Sequence, residues 1–297
     1  MNALTKLCAG LALVFLSASV SAYSIFPIDA SHSLKWGNNE NGTPGGVVTW
    51  SLMTPGVAVD HTDPNLAAIT GTSDLSGVFG QVGGEATALA MIQSAFDAWS
   101  AVANISFVQV NETGTVPFSA AYGDVGANVI GDIRIGAFDL GTDFSAAFGF
   151  AAPPNGFRTL EGDIIFNTRS SISYYVAPGS EGDLYDLFPP GGGLYRNDFQ
   201  GLFVHELGHA LGLAHSDVPA GLMCGYISDA PGFDGSACAY FDQAPFDGKV
   251  PINRIPDVDD IAGAQFLYGA PVPEPETYAM LLAGLGLVGW AVKRHKS

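Results

Sequence analysis

Apolar residues recur at helical spacing between positions 85 and 103. Leu89, Ile92, Phe96, Trp99 and Val102 lie three or four apart and share one face. A second helix is predicted from a cap at Asn197 or Asp198 to about Leu211. A third runs from a cap at Asp257 to about Tyr268, where Gly269 ends it. Short runs rich in β-branched and aromatic residues read as strands at 47–53, 105–110, 129–135, 148–152 and 163–166. Residues 54–84, 167–196 and 216–255 keep neither period and read as loops. No internal repeat is visible.

The two ends follow other rules. Lys6 precedes an apolar run at 7–16, and Val20-Ser21-Ala22 suits cleavage after Ala22, so 1–22 reads as a signal peptide. At the other end an apolar stretch, 278–292, precedes Lys293, Arg294, His295 and Lys296. It reads as a short membrane segment with its basic end in the cytoplasm. With Pro273-Glu274-Pro275 before it, the segment 272–297 resembles the PEP-CTERM sorting tail. That resemblance implies a bacterium with an outer membrane, transient anchoring in the inner membrane by the tail, and removal of the tail by an exosortase. Residues 23–271 remain as one exported domain, extracellular or at the cell surface. Signal peptidase and exosortase are its processing partners, and only the tail touches a membrane.

Composition narrows the function classes. With 11 Lys+Arg against 29 Asp+Glu, the formal charge is −18, which excludes a nucleic-acid partner for want of a basic face. The chain is 47% hydrophobic and 13% charged, so it folds around a core and is not a disordered acidic chain. The 38 Gly and 18 Pro predict many tight turns. Cys8 leaves with the signal peptide. Cys224 and Cys238, in an oxidising compartment, most simply form a disulfide worth roughly 3 kcal/mol; two free buried thiols are the alternative.

One constellation carries chemistry. His205-Glu206-Leu207-Gly208-His209-Ala210-Leu211-Gly212-Leu213-Ala214-His215 matches HExxHxxGxxH at every fixed position. His205 and His209, four apart, project from one helical face and can hold one metal ion. Glu206 lies beside them, where its carboxylate can take a proton from a water on that metal. Gly212 can adopt positive φ, end the helix and bring His215 back to the same ion. Three neutral imidazoles leave a position open, the catalytic pattern for zinc. By chance the match arises on the order of once in 10⁵ chains.

This is the metzincin signature, and Ser216 after the third His resembles the matrixin branch, the matrix-metalloproteinase-like one. The run Ala220-Gly221-Leu222-Met223 resembles that family's Met-turn, which implies Met223 as a packed floor beneath the imidazoles. Residues 198–213, Asp259-Asp260-Ile261 through Tyr268-Gly269, Asp132-Ile133-Arg134-Ile135 and 162–166 are similar to the family's active-site helix, closing helix and two strands. The likeness spans about residues 45 to 269. It implies an α+β, zincin-like fold: a twisted, mostly parallel sheet packed on the active-site helix, with two further helices. It also implies a zinc endopeptidase acting on extracellular protein or peptide substrates. The substrate would pair with a strand edge at about 148–152, and calcium would bind near Asp132 and Asp163. The loop Asp139-Leu140-Gly141-Thr142-Asp143 offers further hard oxygen ligands. The chain is expected to be a monomer.

The departures carry weight too. Residues 138–167 contain no His, so no second, structural zinc is expected. No Cys of the mature chain precedes Cys224, so latency through a cysteine switch is excluded. Tyr226 stands three after Met223, off the usual positions for a Tyr after the Met-turn. The loop 224–255 is longer than in those enzymes, which leaves the primed-side pocket unread. Two alternatives from other classes stay open. One is a structural or adhesive biofilm matrix protein with a vestigial zinc site; the other is a metal-dependent hydrolase of non-peptide substrates.

Overall fold

The computed structural model describes residues 23–142, 145–154, 156, 158–187, 195–216, 218, 221–224 and 249–272. The expected signal peptide, nearly all of the sorting tail, Tyr226 and Cys238 lie outside the described residues. In chain order the N-terminal half contains β1 (Ser24–Ile25), β2 (Gly46–Leu52), α1 (Ser76–Gln81), α2 (Glu85–Ser100), β3 (Ile105–Gln109) and β4 (Ile133–Phe138). Then come β5 (Ala147–Gly149), β6 (Ile164–Asn167), β7 (Ile172–Tyr175), β8 (Leu184–Asp186) and β9 (Tyr195–Asp198). The chain continues through α3 (Phe199–Ala210), β10 (Leu213–Ala214), β11 (Lys249–Pro251) and α4 (Val258–Tyr268).

The main sheet has the order β3-β2-β4-β6-β5. Its first four strands run parallel, and β5 runs antiparallel to β6 at the edge. It is a mixed, mostly parallel sheet in an α+β fold, as the sequence led us to expect. Side chains alternate between two cores. Val48 and Trp50 of β2, Ile133 and Ile135 of β4, and Ile164 and Phe166 of β6 face α2 and α3. Phe138 and Ile165 face the other way, onto Val57, Leu66, Phe118 and Leu140 from the long connections. Both faces are covered, so every position of β4 and β6 is buried. That explains their near-continuous apolar runs.

Aromatic rings join the sheet to the helices. Phe96 of α2 stacks on Trp50 at 4.9 Å and meets Phe203 of α3 edge-on at 5.7 Å. Phe166 stacks on Phe199 at 5.0 Å. Trp99 Nε1 donates to the Val204 carbonyl at 3.0 Å, locking α2 against α3. Both later helices begin at a capping carboxylate. Asp198 accepts from Gly201 N at 3.0 Å. Asp257 accepts from Asp259 N and Asp260 N, while Asp260 accepts in return from Asp257 N.

Several expectations need correction. The stretch 54–84 is not all loop: it contains α1, so three helices rather than two accompany α3. Its short Gly-containing sequence, SGVFGQ, hides a helical period. The strand expected at 129–135 starts at Ile133, with Val129 exposed, and continues through Gly136 and Ala137, which pack on both faces. The edge strand is 147–149, not 148–152. Residues 167–196 carry β7, β8 and the first residues of β9. Leu89 of α2 and Val102 just past its end are only half-buried, while Ala88, Met91 and Ala95 reach the core.

Phe96 touches both the sheet and α3, and it is fully buried. Replacing it by Ala is expected to destabilise the fold by about 3–5 kcal/mol. Denaturant unfolding measures this, and a loss below about 1 kcal/mol would contradict the packing described.

Candidate metal centre

Helix α3 presents His205, Glu206 and His209 within its last two turns. Gly212 then turns the chain at φ +98°, and a Cβ there would sit 2.1 Å from the Leu34 carbonyl oxygen. Only glycine fits on both counts. The reversed chain forms β10, pairs with β1 near the N-terminus, and delivers His215. Phe26, just past β1, lies against the His209 ring at 6.3 Å.

The three imidazoles converge. His215 Nε2 is 3.3 Å from His205 Nε2 and 3.1 Å from His209 Nε2. His205 Nδ1 lies 2.6 Å from the Leu222 carbonyl, and His209 Nδ1 lies 2.8 Å from that of Leu213. A carbonyl only accepts, so each Nδ1 carries the proton and each Nε2 presents a bare lone pair. Burial lowers the pKa of all three rings. His209, with two neighbouring rings besides, goes well below the ordinary value, and His215 falls to about 4. Neutral rings converging on one point fit a cation. The imidazole set suits zinc. Among the described residues no other group of three His, Cys, Asp or Glu side chains converges in this way.

Glu206 is buried beside the triad, and burial raises its carboxyl to about 7 against the opposing pull of one hydrogen bond. That bond comes from Gly149 N at 2.7 Å, on the edge strand β5. A Cβ on Gly149 would lie 2.3 Å from the Glu206 backbone oxygen, so glycine lets the sheet edge touch the helix. Met223 is buried under the site. A Cβ on Gly208, between the two helical His, would lie 2.3 Å from Met223 Sδ. Met223 O accepts from Ser216 N, and Met223 N donates to Asp260 at the start of α4. A cavity of about 500 Å³ opens beside the triad, lined in part by Phe148, Leu202, Tyr185, Leu187, Val250 and Pro251.

The structure thus brings His205, Glu206, His209, His215, Gly212 and Met223 together. It does not gather Asp132 and Asp163 into a metal-ligating group of the described residues. The Asp132 carboxylate accepts from Thr49 N and Thr49 Oγ1, each at 2.7 Å. Asp163 is fully buried, with Oδ1 accepting from Arg134 N at 2.8 Å and Oδ2 without a hydrogen-bond partner. Of the loop 139–143, Asp139 accepts from Arg169 Nη1 at 3.2 Å, and Asp143 lies outside the described residues. Cys224 is buried; its expected partner Cys238 is outside the described residues, so the pairing stays an expectation. Sequence reasoning missed Gly149, Gly208 and the two orienting carbonyls. A glycine between the two helical His was the one available signal.

The matrixin family model matches residues 81–234, just over half of the chain. The chain belongs to the matrixin family. Residues 271–295 of this matrixin match the PEP-CTERM protein-sorting motif, which implies export and sorting to the cell envelope. Matrix metalloproteinase-16 of Homo sapiens is 30% identical over 191 residues, covering 62% of this chain and 24% of the human protein. The hatching enzyme of Paracentrotus lividus is 29% identical over 181 residues, covering 60% and 22%. The chain therefore spans about a quarter of the length of the curated relatives it matches. Among the described residues no helix is long and apolar enough to cross a membrane.

Gly208→Ala is expected to push Met223 away from the triad and weaken zinc retention about tenfold. Competition with a chelator reads the affinity. Unchanged retention would mean that Met223 does not support the metal centre.

Proposed function

We propose that this matrixin is a zinc-dependent endopeptidase of the cell surface that cuts peptide bonds of extracellular proteins. The observation that carries the reading is the convergence of three imidazole Nε2 atoms beside one buried carboxylate held by a sheet edge. His205, His209 and His215 would hold the zinc. When bound, that ion supplies Lewis acidity, polarising a carbonyl and lowering the pKa of a water.

The chain's own groups do the rest. β5 ends the sheet among the described residues. On its β6 side Phe150 N donates to Asp163 O, and Asn167 N donates to Ala146 O. By alternation, Ala147 and Gly149 turn their backbone groups away from β6; Gly149 N is taken by Glu206, which leaves the Gly149 carbonyl and the groups of Ala147 toward the cleft. An extended peptide can add there as a further strand, which places its scissile carbonyl by the triad. Glu206 accepts a proton from the attacking water and returns it to the leaving amine. In the metal-free chain burial raises that carboxyl to about 7, which favours its taking up a proton. Met223 supports the imidazoles from below. The PEP-CTERM tail adds an exosortase as processing partner, and the protein acts as a monomer.

Glu206→Ala is expected to keep one zinc per chain and lose peptide cleavage by roughly 10²–10⁴-fold. A quenched peptide library measures turnover, with a chelated wild-type sample alongside it. Turnover undiminished in Glu206→Ala would sink the mechanism. A folded wild type that retains zinc and cuts nothing would favour the matrix-protein reading.

Calcium at Asp132 and Asp163 belongs to the same proposal, supported by the buried, unpartnered Oδ2 of Asp163. Without a cation, burial raises the Asp163 carboxyl well above its usual range. The folded chain then keeps a proton that the unfolded chain releases above about pH 4. Stability should fall as pH rises from there. Calcium is expected to remove that fall in the wild type, and Asp163→Asn to show neither the fall nor a calcium response. Thermal melts at several pH values test both. A wild type whose melting ignores calcium would end the calcium assignment.

A further inference from the structure

We infer that Arg254 clamps a two-stranded ribbon onto the active-site helix and thereby sets which substrate side chains the cleft accepts. This rests on the peptidase reading. The ribbon pairs β8 with β11, Tyr185 opposite Val250 and Leu184 opposite Pro251. It continues past the strands, since Ile252 N donates to Asp183 O at 2.9 Å and Gly182 N donates to Ile252 O at 2.8 Å. Tyr185, Val250 and Pro251 line the cavity beside the triad. The ribbon is separate from the main sheet. Two strands alone are marginal in water, so this wall needs anchoring.

Arg254 supplies the anchor at the point where the ribbon reaches α3. Its Nε donates to Asp198 Oδ2 at 2.8 Å, and its Nη2 donates to Asp198 Oδ1 and, at 2.9 Å, to the Ala177 carbonyl. The same carboxylate caps α3 through Gly201 N and accepts from Ala177 N at 2.9 Å. One buried carboxylate thus joins the ribbon, the helix start and the segment after β7. Gly201 makes the approach feasible, because a Cβ there would lie 2.7 Å from the Asn253 carbonyl oxygen. A second, lighter tie comes from Asp198 N, which donates to Tyr185 Oη at 3.3 Å. The planar guanidinium grips both carboxylate oxygens at once, which a lysine cannot do. Arg254 does not reach the imidazoles. It is a positioning residue: it fixes how far the wall stands from α3, and so the room left for a side chain.

The test compares the wild-type chain with Arg254→Ala, Arg254→Lys and Tyr185→Phe, each loaded with zinc. Peptides that differ only in the size of the apolar residue entering the cleft give kcat and KM. Hydrogen exchange of 182–187 and 249–254 reports the ribbon without relying on activity. Arg254→Ala is expected to lose roughly tenfold in discrimination between large and small side chains. The loss should fall on KM, with kcat within about twofold and zinc content unchanged. Amides of the ribbon should exchange at least about tenfold faster, while those of α2 keep their protection. Arg254→Lys should recover part of this, and Tyr185→Phe should shift the same readouts less. Unchanged selectivity, or a fall confined to kcat, would overturn the specificity claim, and unchanged exchange would overturn the clamp. A zinc-loaded wild type that cuts no peptide would remove the peptidase reading and the specificity claim together. The exchange arm would then decide the clamp by itself.

Discussion

Three imidazole rings that converge, with His215 Nε2 within hydrogen-bond distance of the other two, cannot all be charged, and most of the structure serves to keep them neutral and aimed. Burial alone lowers their pKa values, but it does not choose a tautomer. The Leu222 and Leu213 carbonyls do that by requiring a proton on Nδ1 of His205 and His209. Those carbonyls come from the turn carrying Met223 and from the strand after Gly212. Helix, strand and turn must therefore all be in register before the site exists. The parallel sheet and the aromatic packing of α2 fix the helix; β1 fixes the strand.

Close approach is the second constraint, and it falls on glycines. Gly149 lets a sheet edge meet the Glu206 backbone, Gly208 lets Met223 sit under the helix, and Gly212 lets the chain pass Leu34. At each position a single methyl group would displace backbone, or the sulfur that supports the site. A glycine inside a helix lowers its stability by about 1 kcal/mol relative to alanine. Gly201 and Gly208 both lie in α3, so that helix depends on its Asp198 cap and its buried face rather than on propensity.

The sequence made the triad, Glu206, Gly212, Met223 and the start of α3 legible because they obey local rules. Spacing on one helix, a capping carboxylate and a positive-φ glycine are all written in adjacent residues. The parallel strands were legible as apolar runs, but their ends were not. Ile133–Phe138 is buried on both faces, so no alternation marks where it stops. The ribbon of β8 and β11 was invisible for a different reason. Its strands are three residues each and more than 60 positions apart, and what defines them is a contact between Arg254 and Asp198 that no local period encodes. Asp132 and Asp163 were singled out by resemblance. Their surroundings here, the amide and hydroxyl of Thr49 for one and the buried Arg134 amide for the other, follow from the packing of β2 and β4.

Asp260 shows why the closing helix belongs to the metal centre although it lies outside the motif. Its side chain is buried and accepts from Asp257 N on one oxygen and from Met223 N on the other. Burial raises its carboxyl, so holding it there costs stability. Hydrophobic residues at that position would pack as well, but they would leave two buried amides without acceptors. One side chain therefore completes the cap of α4 and fixes the backbone beneath the imidazoles. Fraying at the start of α4 would release Met223 N, then shift the Leu222 carbonyl, and then free the His205 ring to turn. The last helix of the described residues is coupled to His205 through three successive hydrogen-bonded groups.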